Sequence, residues 1–168
     1  MISTKGRYAV RVMIDLAEND NGHFIPLKDV SARQGISKKY LEAIARELSA
    51  KKLLLASSGK NGGYKLARKP EEYTVWEILE LMENTLSPVI CLADPDYHCP
   101  RRAFCKTLPM WTECDHLLHD FFCRKKLSDL LTPRNPVQSK TPSPPELPQR
   151  EDPGRKGAHP SPDLGKST

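Results

Sequence analysis

The chain contains no Cys-x2-Cys knuckle and no ferredoxin-type cysteine spacing, so a zinc ribbon and the commoner cluster folds are excluded by spacing. No apolar run approaches the length needed to cross a bilayer, and no secretory leader is recognisable. Five cysteines in 168 residues are an odd number, which argues against a small disulfide scaffold. The expected compartment is a reducing cytoplasm, where clustered thiols serve metal or redox chemistry more often than structural bridges. Enzymatic signatures are lacking as well. There is no Ser/His/Asp order, Walker loop or dinucleotide fingerprint, and nothing orients Tyr97-His98-Cys99, His116 or His119 for catalysis, so no enzyme is expected.

What the chain does have is positive charge, unevenly placed. Residues 1–70 carry fourteen Lys and Arg against six Asp and Glu, while the remaining 98 carry twelve against fifteen. A footprint confined to one end points to a polyanion partner. The length allows one domain with a real core and an added helix or tail.

Ala9, Val12, Met13, Leu16 and Ala17 recur on one helical face, which predicts an amphipathic helix from about Thr4 to Glu18, ended by Asn19-Asp20-Asn21-Gly22. Pro26 opens a second helix to about Gln34, with Leu27, Val30 and Ala32 as its apolar residues and Gly35 as its stop. Ser37 caps a third, with Leu41, Ile44, Ala45 and Leu48 inside and Lys38, Lys39, Glu42, Arg46 and Ser49 largely outside. Two short helices meeting through Gln34-Gly35-Ile36-Ser37 read as a helix-turn-helix. Ser37, Lys38, Lys39 and Tyr40 then begin the helix that would enter a major groove, and Arg46 shares its outer face. Glu42 either accepts a hydrogen bond from a cytosine amino group or pairs with Arg46 one turn on.

Leu53-Leu54-Leu55 and Tyr64-Lys65-Leu66 flank Gly59-Lys60-Asn61-Gly62-Gly63, where Asn-Gly is expected to supply the positive backbone angles of a tight hairpin. With Lys60 and Asn61 at its tip and Lys65, Arg68 and Lys69 on its return, this wing can press on DNA backbone or minor groove, cover the helical core, or do both. Thr74-Val75-Trp76-Glu77 matches a capping box, and Val75, Ile78, Leu79 and Met82 give a fourth helix closing the module.

Cys91-x7-Cys99-x5-Cys105 follows, among Asp94, Pro95, Asp96, Tyr97 and Pro100, turn residues that let thiolates converge without straining a helix. Three thiolates leave a closed site one ligand short. Spacing alone therefore leaves open a metal or cluster site, reduced unligated thiols, or a disulfide. Beyond the loop, Trp111, Cys114, Leu118 and Phe121 alternate at three and four residues, and Leu117 and Phe122 widen the apolar surface. Such a seam predicts a dimerisation helix, the other reading being a helix folded back on its own domain. A two-fold dimer would suit a palindromic operator. From Pro133 onward, nine of the fifteen prolines fall in 36 residues with almost no large apolar side chains, so a disordered, solvated tail is expected.

Taken together, Lys5-Gly6-Arg7-Tyr8-Ala9-Val10, Gln34-Gly35-Ile36-Ser37 with Tyr40-Leu41-Glu42, Gly62-Gly63-Tyr64-Lys65-Leu66-Ala67-Arg68 and the three-cysteine loop resemble the Rrf-two family of bacterial winged-helix transcription regulators. The resemblance spans residues 1 to about 132. It implies a mainly α fold with a small β-hairpin wing: a winged helix-turn-helix over 1–85, a cysteine sensor loop over 86–106, and a dimerisation helix with its return segment over 107–132. It also implies a homodimer on double-stranded operator DNA, and an iron-sulfur cluster on Cys91, Cys99 and Cys105, with 2Fe-2S the first expectation and 4Fe-4S the other. Control without a cluster, by thiol oxidation or by a bound metabolic enzyme, is the alternative. Some relatives take a fourth ligand from a His three residues past the last cysteine, where Leu108 stands here; others recruit a carboxylate from the first helix of the partner subunit, where Tyr8 stands. Cys114, His98, His116, a carboxylate such as Asp15, or an exogenous group remain as candidates. Ser58 replaces an Arg usual before the wing glycine, a phosphate contact that Lys60 could supply.

Overall fold

The computed structural model describes residues 2–131, so the tail expected from residue 133 lies outside the described residues. Helix α1 is Thr4–Glu18, with Ser3 as its N-cap and Ala9, Val12, Met13 and Leu16 on its buried face. Helices α2 (Leu27–Gln34) and α3 (Lys38–Ala50) meet at Gly35, whose left-handed backbone (φ 64°) lets the chain reverse after α2. Ala32, expected inside, is exposed; Ile36 from the turn takes the buried place instead. In α3 the inward stripe is Leu41, Ile44, Ala45 and Leu48, as the periodicity predicts.

Strands β1 (Leu54–Ser57) and β2 (Gly63–Leu66) pair antiparallel with Leu54 opposite Leu66 and Ser57 opposite Gly63. The connecting loop is longer than the tight Asn-Gly turn expected. Its left-handed residue is Gly59 (φ 100°), whereas Asn61 and Gly62 keep negative or extended angles, and the Gly62 amide donates to the Gly59 carbonyl at 3.0 Å. Ile25 adds a third edge, exchanging two 2.9 Å backbone hydrogen bonds with Tyr64. The wing is thereby tied to the loop ahead of α2, and the loop end of β2 is fixed relative to the helix-turn-helix.

Helix α4 (Val75–Glu83) begins with the expected capping box: the Glu77 amide donates to Thr74 Oγ1 and the Thr74 amide to Glu77 Oε1, both at 3.1 Å. Just before it, Tyr73 is fully buried. Its hydroxyl donates to the Leu53 carbonyl and accepts from the Arg68 amide, each at 2.8 Å, so one side chain holds both ends of the wing. Tyr73→Phe keeps the ring but orphans a buried carbonyl and an amide. A loss of about 2 kcal/mol is expected in urea unfolding, with the fold unchanged.

A short helix α5 (Ile90–Ala93) opens the cysteine loop, and α6 (Leu108–Arg124) follows it. No α6 side chain is fully buried. The helix nevertheless rests on α4: Phe122 packs with Val75, Leu79 and Leu86, and Trp76 meets His119 edge to face at 4.6 Å. The chain then returns across the domain, where the Val75 amide donates to the Lys125 carbonyl (2.8 Å) and the Leu127 amide to Tyr73 (3.1 Å). Leu127 is wholly buried in the same core as α1 to α4. Among the described residues, the core of the helix-turn-helix and wing thus includes a side chain from beyond α6. Met110, Leu117 and Phe121 of α6 stay about half exposed or more.

Candidate functional site

Basic side chains on α3 and the wing face one another across a cleft of about 540 Å³, lined by Lys28, Lys38, Glu42, Arg46, Lys60 and Tyr64 among others. Ser37 heads α3, its hydroxyl accepting from the Tyr40 amide, and Ser37, Lys38, Lys39 and Tyr40 are all exposed. Glu42 lies inside the cleft and pairs with Lys38 at 3.4 Å, one turn before it, rather than with Arg46. Four cations around one carboxylate make a surface suited to a phosphate backbone. Asn61 sits on the other side of the wing tip, with His23, Phe24 and Lys60 around a separate hollow.

One residue missed by sequence reasoning completes this surface. Lys28 comes from α2, where no periodicity singles it out. Lys65 lies over the Phe24 ring at 4.9 Å, so it is held on the wing by a residue of the α1–α2 loop. Arg68, assigned to the DNA-facing return strand, is largely committed inward. It stacks on Tyr73 at 4.3 Å and bonds both Glu77 oxygens at 3.1–3.2 Å. Partial burial pulls its guanidinium pKa down, but the Glu77 bonds and charge outweigh that and leave it raised.

The helix-turn-helix is braced from behind. Asp15 of α1 is buried, and its carboxylate accepts from Arg33 Nε and NH2 and from Gln34 Nε2, the last at 2.8 Å. Hydrogen bonding to Asp15 raises the Arg33 pKa against the opposing effect of burial. Arg11 bonds the Gln34 carbonyl at 2.6 Å and stacks on Tyr8, which meets Tyr40 edge to face at 5.8 Å. Asp15, weighed above as a metal ligand, is therefore consumed in fixing α1 to the turn.

On the cysteine loop, Cys91, His98, Cys99, Asp94, Tyr97 and Arg102 line one cavity of about 390 Å³. Arg102 bonds the Cys91 carbonyl at 2.9 Å, and Asp94 Oδ1 accepts from the Asp96 amide at 2.9 Å, which shapes the bend. Cys105 lies outside that lining, its sulfur 3.5 Å from Thr107 Oγ1. All five cysteines are free and partly exposed. Among the described residues, no three His, Cys, Asp or Glu side chains stand at metal-holding distance of one another. The donor types around this cavity, two thiols and an imidazole, are of the kind that hold an iron-sulfur group, while the third thiol of the loop, Cys105, stands outside it. Cys114 and His116 belong to α6, where His116 faces a different hollow, with Leu108, Pro109 and Asp120.

The thiols are not equivalent. The Thr107 hydroxyl, then backbone amides and the Arg101 charge, hold the Cys105 thiol below the ordinary cysteine range, while burial, aided by Asp120 and Glu80, pushes Cys123 up. In metal-free protein, iodoacetamide should modify Cys105 half-maximally at a lower pH than Cys123, because the thiolate is the nucleophile. Thr107→Val should move the Cys105 profile upward; mass spectrometry of the alkylated peptides at a series of pH values checks both.

A helix-turn-helix braced by an ion pair to a buried carboxylate, with a hairpin wing and a cationic cleft between them, defines a winged-helix DNA-binding protein. The family model described as Rrf2, iron-dependent transcriptional regulator, matches residues 2–133, and the chain belongs to that family. It is 33% identical over 130 residues to Protein rrf2 of Nitratidesulfovibrio vulgaris, covering 77% of this chain and 86% of that one. Among solved structures it is similar to CymR, the global cysteine regulator of B. subtilis (28% identity, TM-score 0.63, 78% of this chain and 95% of that one). It is likewise similar to T. potens IscR (30% identity, TM-score 0.61, 78% and 85%). The family is described as one of transcriptional regulators, and CymR is titled a regulator. Among the described residues, no helix is long and apolar enough to cross a membrane.

Proposed function

We propose that this transcriptional regulator acts in the bacterial cytoplasm as a homodimer on a palindromic operator, and that its affinity is set by an iron-sulfur cluster held through Cys91, Cys99 and Cys105. The observation that carries the reading is the joining of a three-thiol loop to α6, a helix that rests on α4 and leaves Met110, Leu117 and Phe121 uncovered. The family's description as iron-dependent supports the choice of group. When bound, such a cluster supplies a charge and geometry that change with oxidation, reduction or nitrosylation. The protein's part is to couple that change to DNA. Cys105 lies three residues before α6, and the chain just past α6 is bonded through Lys125 to Val75 and through Leu127 to Tyr73, hence to the wing. A displaced loop would shift α6, and with it the spacing of two recognition helices in a dimer. The coupling requires that the two loop states favour different arrangements of the dimer.

The test is iron and acid-labile sulfide per chain, with the visible spectrum, on protein purified without oxygen. Iron and sulfide in matching amounts are expected, and Cys105→Ser should abolish the chromophore while leaving the melting transition intact. Retention of full iron and sulfide in that variant would remove Cys105 from the ligand set.

A second reading has its own observation: Cys91 and Cys99 share one cavity, and Thr107 favours the Cys105 thiolate. Here the thiols switch directly. Two of them join as a disulfide, giving up two electrons and two protons to an oxidant such as a peroxide. Absence of iron and sulfide after anaerobic reconstitution would favour this reading and leave the DNA-binding surface unaffected.

A further inference from the structure

The hollow on the outer side of the wing tip, about 570 Å³, is built by two segments distant in sequence. Gly22, His23, Phe24 and Pro26 come from the loop between α1 and α2, Lys60 and Asn61 from the hairpin. That loop is not free to drift from the tip. Ile25 exchanges two backbone hydrogen bonds with Tyr64, at the loop end of β2, and Lys65 Nζ lies over the Phe24 ring at 4.9 Å. Gly63 lets the two backbones come this close, since a Cβ there would meet the Ile25 carbonyl. Ahead of the bridge, Asp20 Oδ1 accepts from the Gly22 amide at 2.9 Å and Asn21 Oδ1 from the His23 amide at 3.0 Å, so both side chains shape the loop. His23 itself is exposed, and its imidazole makes no hydrogen bond among the described residues.

Lys60 lines this hollow as well as the α3–wing cleft, so the tip is a ridge with a depression on either side. The cleft contains Glu42, whereas no carboxylate lines the hollow among the described residues. We infer that the hollow is a second backbone-phosphate seat, in which the His23 imidazolium and the Asn61 side-chain amide donate to a duplex phosphodiester while Lys60 supplies charge; this rests on duplex binding by the winged helix and needs no cluster. The charged groups around the ring are Lys60 on the hairpin tip, Lys65 over Phe24, and Asp20 in its own loop. A phosphate favours the protonated imidazole, so duplex binding takes up a proton: the contact is made in full below the range in which histidine titrates and is lost as the pH rises through it. A backbone contact carries no base information, so the seat lengthens the footprint without changing the sequence that is read.

The experiment measures the affinity of the full chain, purified without oxygen, for a labelled duplex that it selects from a random pool, at about pH 5.5 and about pH 8, on either side of the range in which histidine changes charge. One phosphate contact contributes about 0.9 to the log–log salt slope, so at about 0.1 M salt the duplex should bind about eightfold more tightly per bound chain at the lower pH, with a slope steeper by about 0.9. His23→Gln should melt at the same temperature and hold the weaker affinity at both pH values. His23→Arg should hold the tighter affinity at both, because its charge does not titrate. A pH dependence that persists undiminished in His23→Gln overturns the inference, since another of the five histidines then carries it. Binding by the unaltered chain that does not change with pH overturns it too; the winged-helix surface then stands and only the second seat falls. Inorganic phosphate alone supplies the remaining arm. If it displaces the His23 ring resonance in nitrogen-15-labelled protein while His23→Gln binds the duplex like the unaltered chain, the hollow takes a free anion and the inference is overturned. Failure to select or bind any duplex at either pH removes both the seat and the DNA-binding reading.

Discussion

Replacing Lys38 and Lys60 together with alanine is expected to weaken duplex DNA binding about 60-fold per bound chain at about 0.1 M salt, and to flatten the salt dependence by about 2 in log–log slope. Each neutralised phosphate contributes about 0.9 to that slope, so two contacts account for about 1.8 decades between 0.1 and 1 M salt. The two lysines are chosen because they face each other across the α3–wing cleft, one from the recognition helix and one from the hairpin tip. Fluorescence anisotropy of a labelled duplex, titrated at several salt concentrations, measures both quantities. Removing Lys38 also releases Glu42, its partner at 3.4 Å. The freed carboxylate would then repel phosphate, so Lys38→Ala alone should cost more than Lys60→Ala. An unchanged slope in the double variant would mean that the cleft does not face the phosphates, and the DNA-binding surface would have to be sought elsewhere.

The second large effect concerns stability. Arg33→Ala is expected to destabilise the fold by about 3 kcal/mol, because it strands a buried carboxylate, and breaking one side of such a pair typically costs 3–5 kcal/mol. The lower end applies because the Arg33 side chain is itself about 36% exposed and already partly screened by water. Asp15→Ala in addition should recover part of the loss, since the uncompensated charge is then gone, and a double-mutant cycle by urea unfolding separates the pair from its surroundings. Additive losses in the cycle would show that Arg33 and Asp15 are not coupled. Because Arg33 and Gln34 immediately precede Gly35, the loss should also be felt in the orientation of α3, and hence in DNA affinity.

Where periodicity or a local cap decides the structure, the sequence was legible. The faces of α1, α3 and α4, the Gly35 stop, the Ser37 cap and the Thr74–Glu77 capping box all depend on residues within a few positions of one another. What escaped depends on distant pairing. Leu127 stands between Lys125-Lys126 and Ser128-Asp129, in a segment too short for its spacing with Leu130 and Leu131 to mark which of the three is core. Ile25 joins the wing by a bridge to Tyr64, 39 positions away. Arg68 looked like a DNA contact because its charge is visible in sequence, whereas the Tyr73 ring and Glu77 carboxylate that hold it are a tertiary matter. The Asn-Gly signal misled because a five-residue loop from 58 to 62 relieves the backbone elsewhere, at Gly59. In the cysteine loop the residue types were readable and their convergence was not. Cys91 and Cys99 share a cavity, and Cys105 lies outside it beside Thr107.

Leu127 also sets the order of events during synthesis. The chain emerges from its N-terminus, and α1 to α4 are made first, but the side chain that completes their core is not available until the cysteine loop and α6 have been translated. The surface that binds DNA therefore matures only after the segment that would regulate it exists. A ribosome stalled before residue 127 would leave an incompletely packed product for cellular proteases to remove, rather than a DNA-binding fragment deaf to its signal.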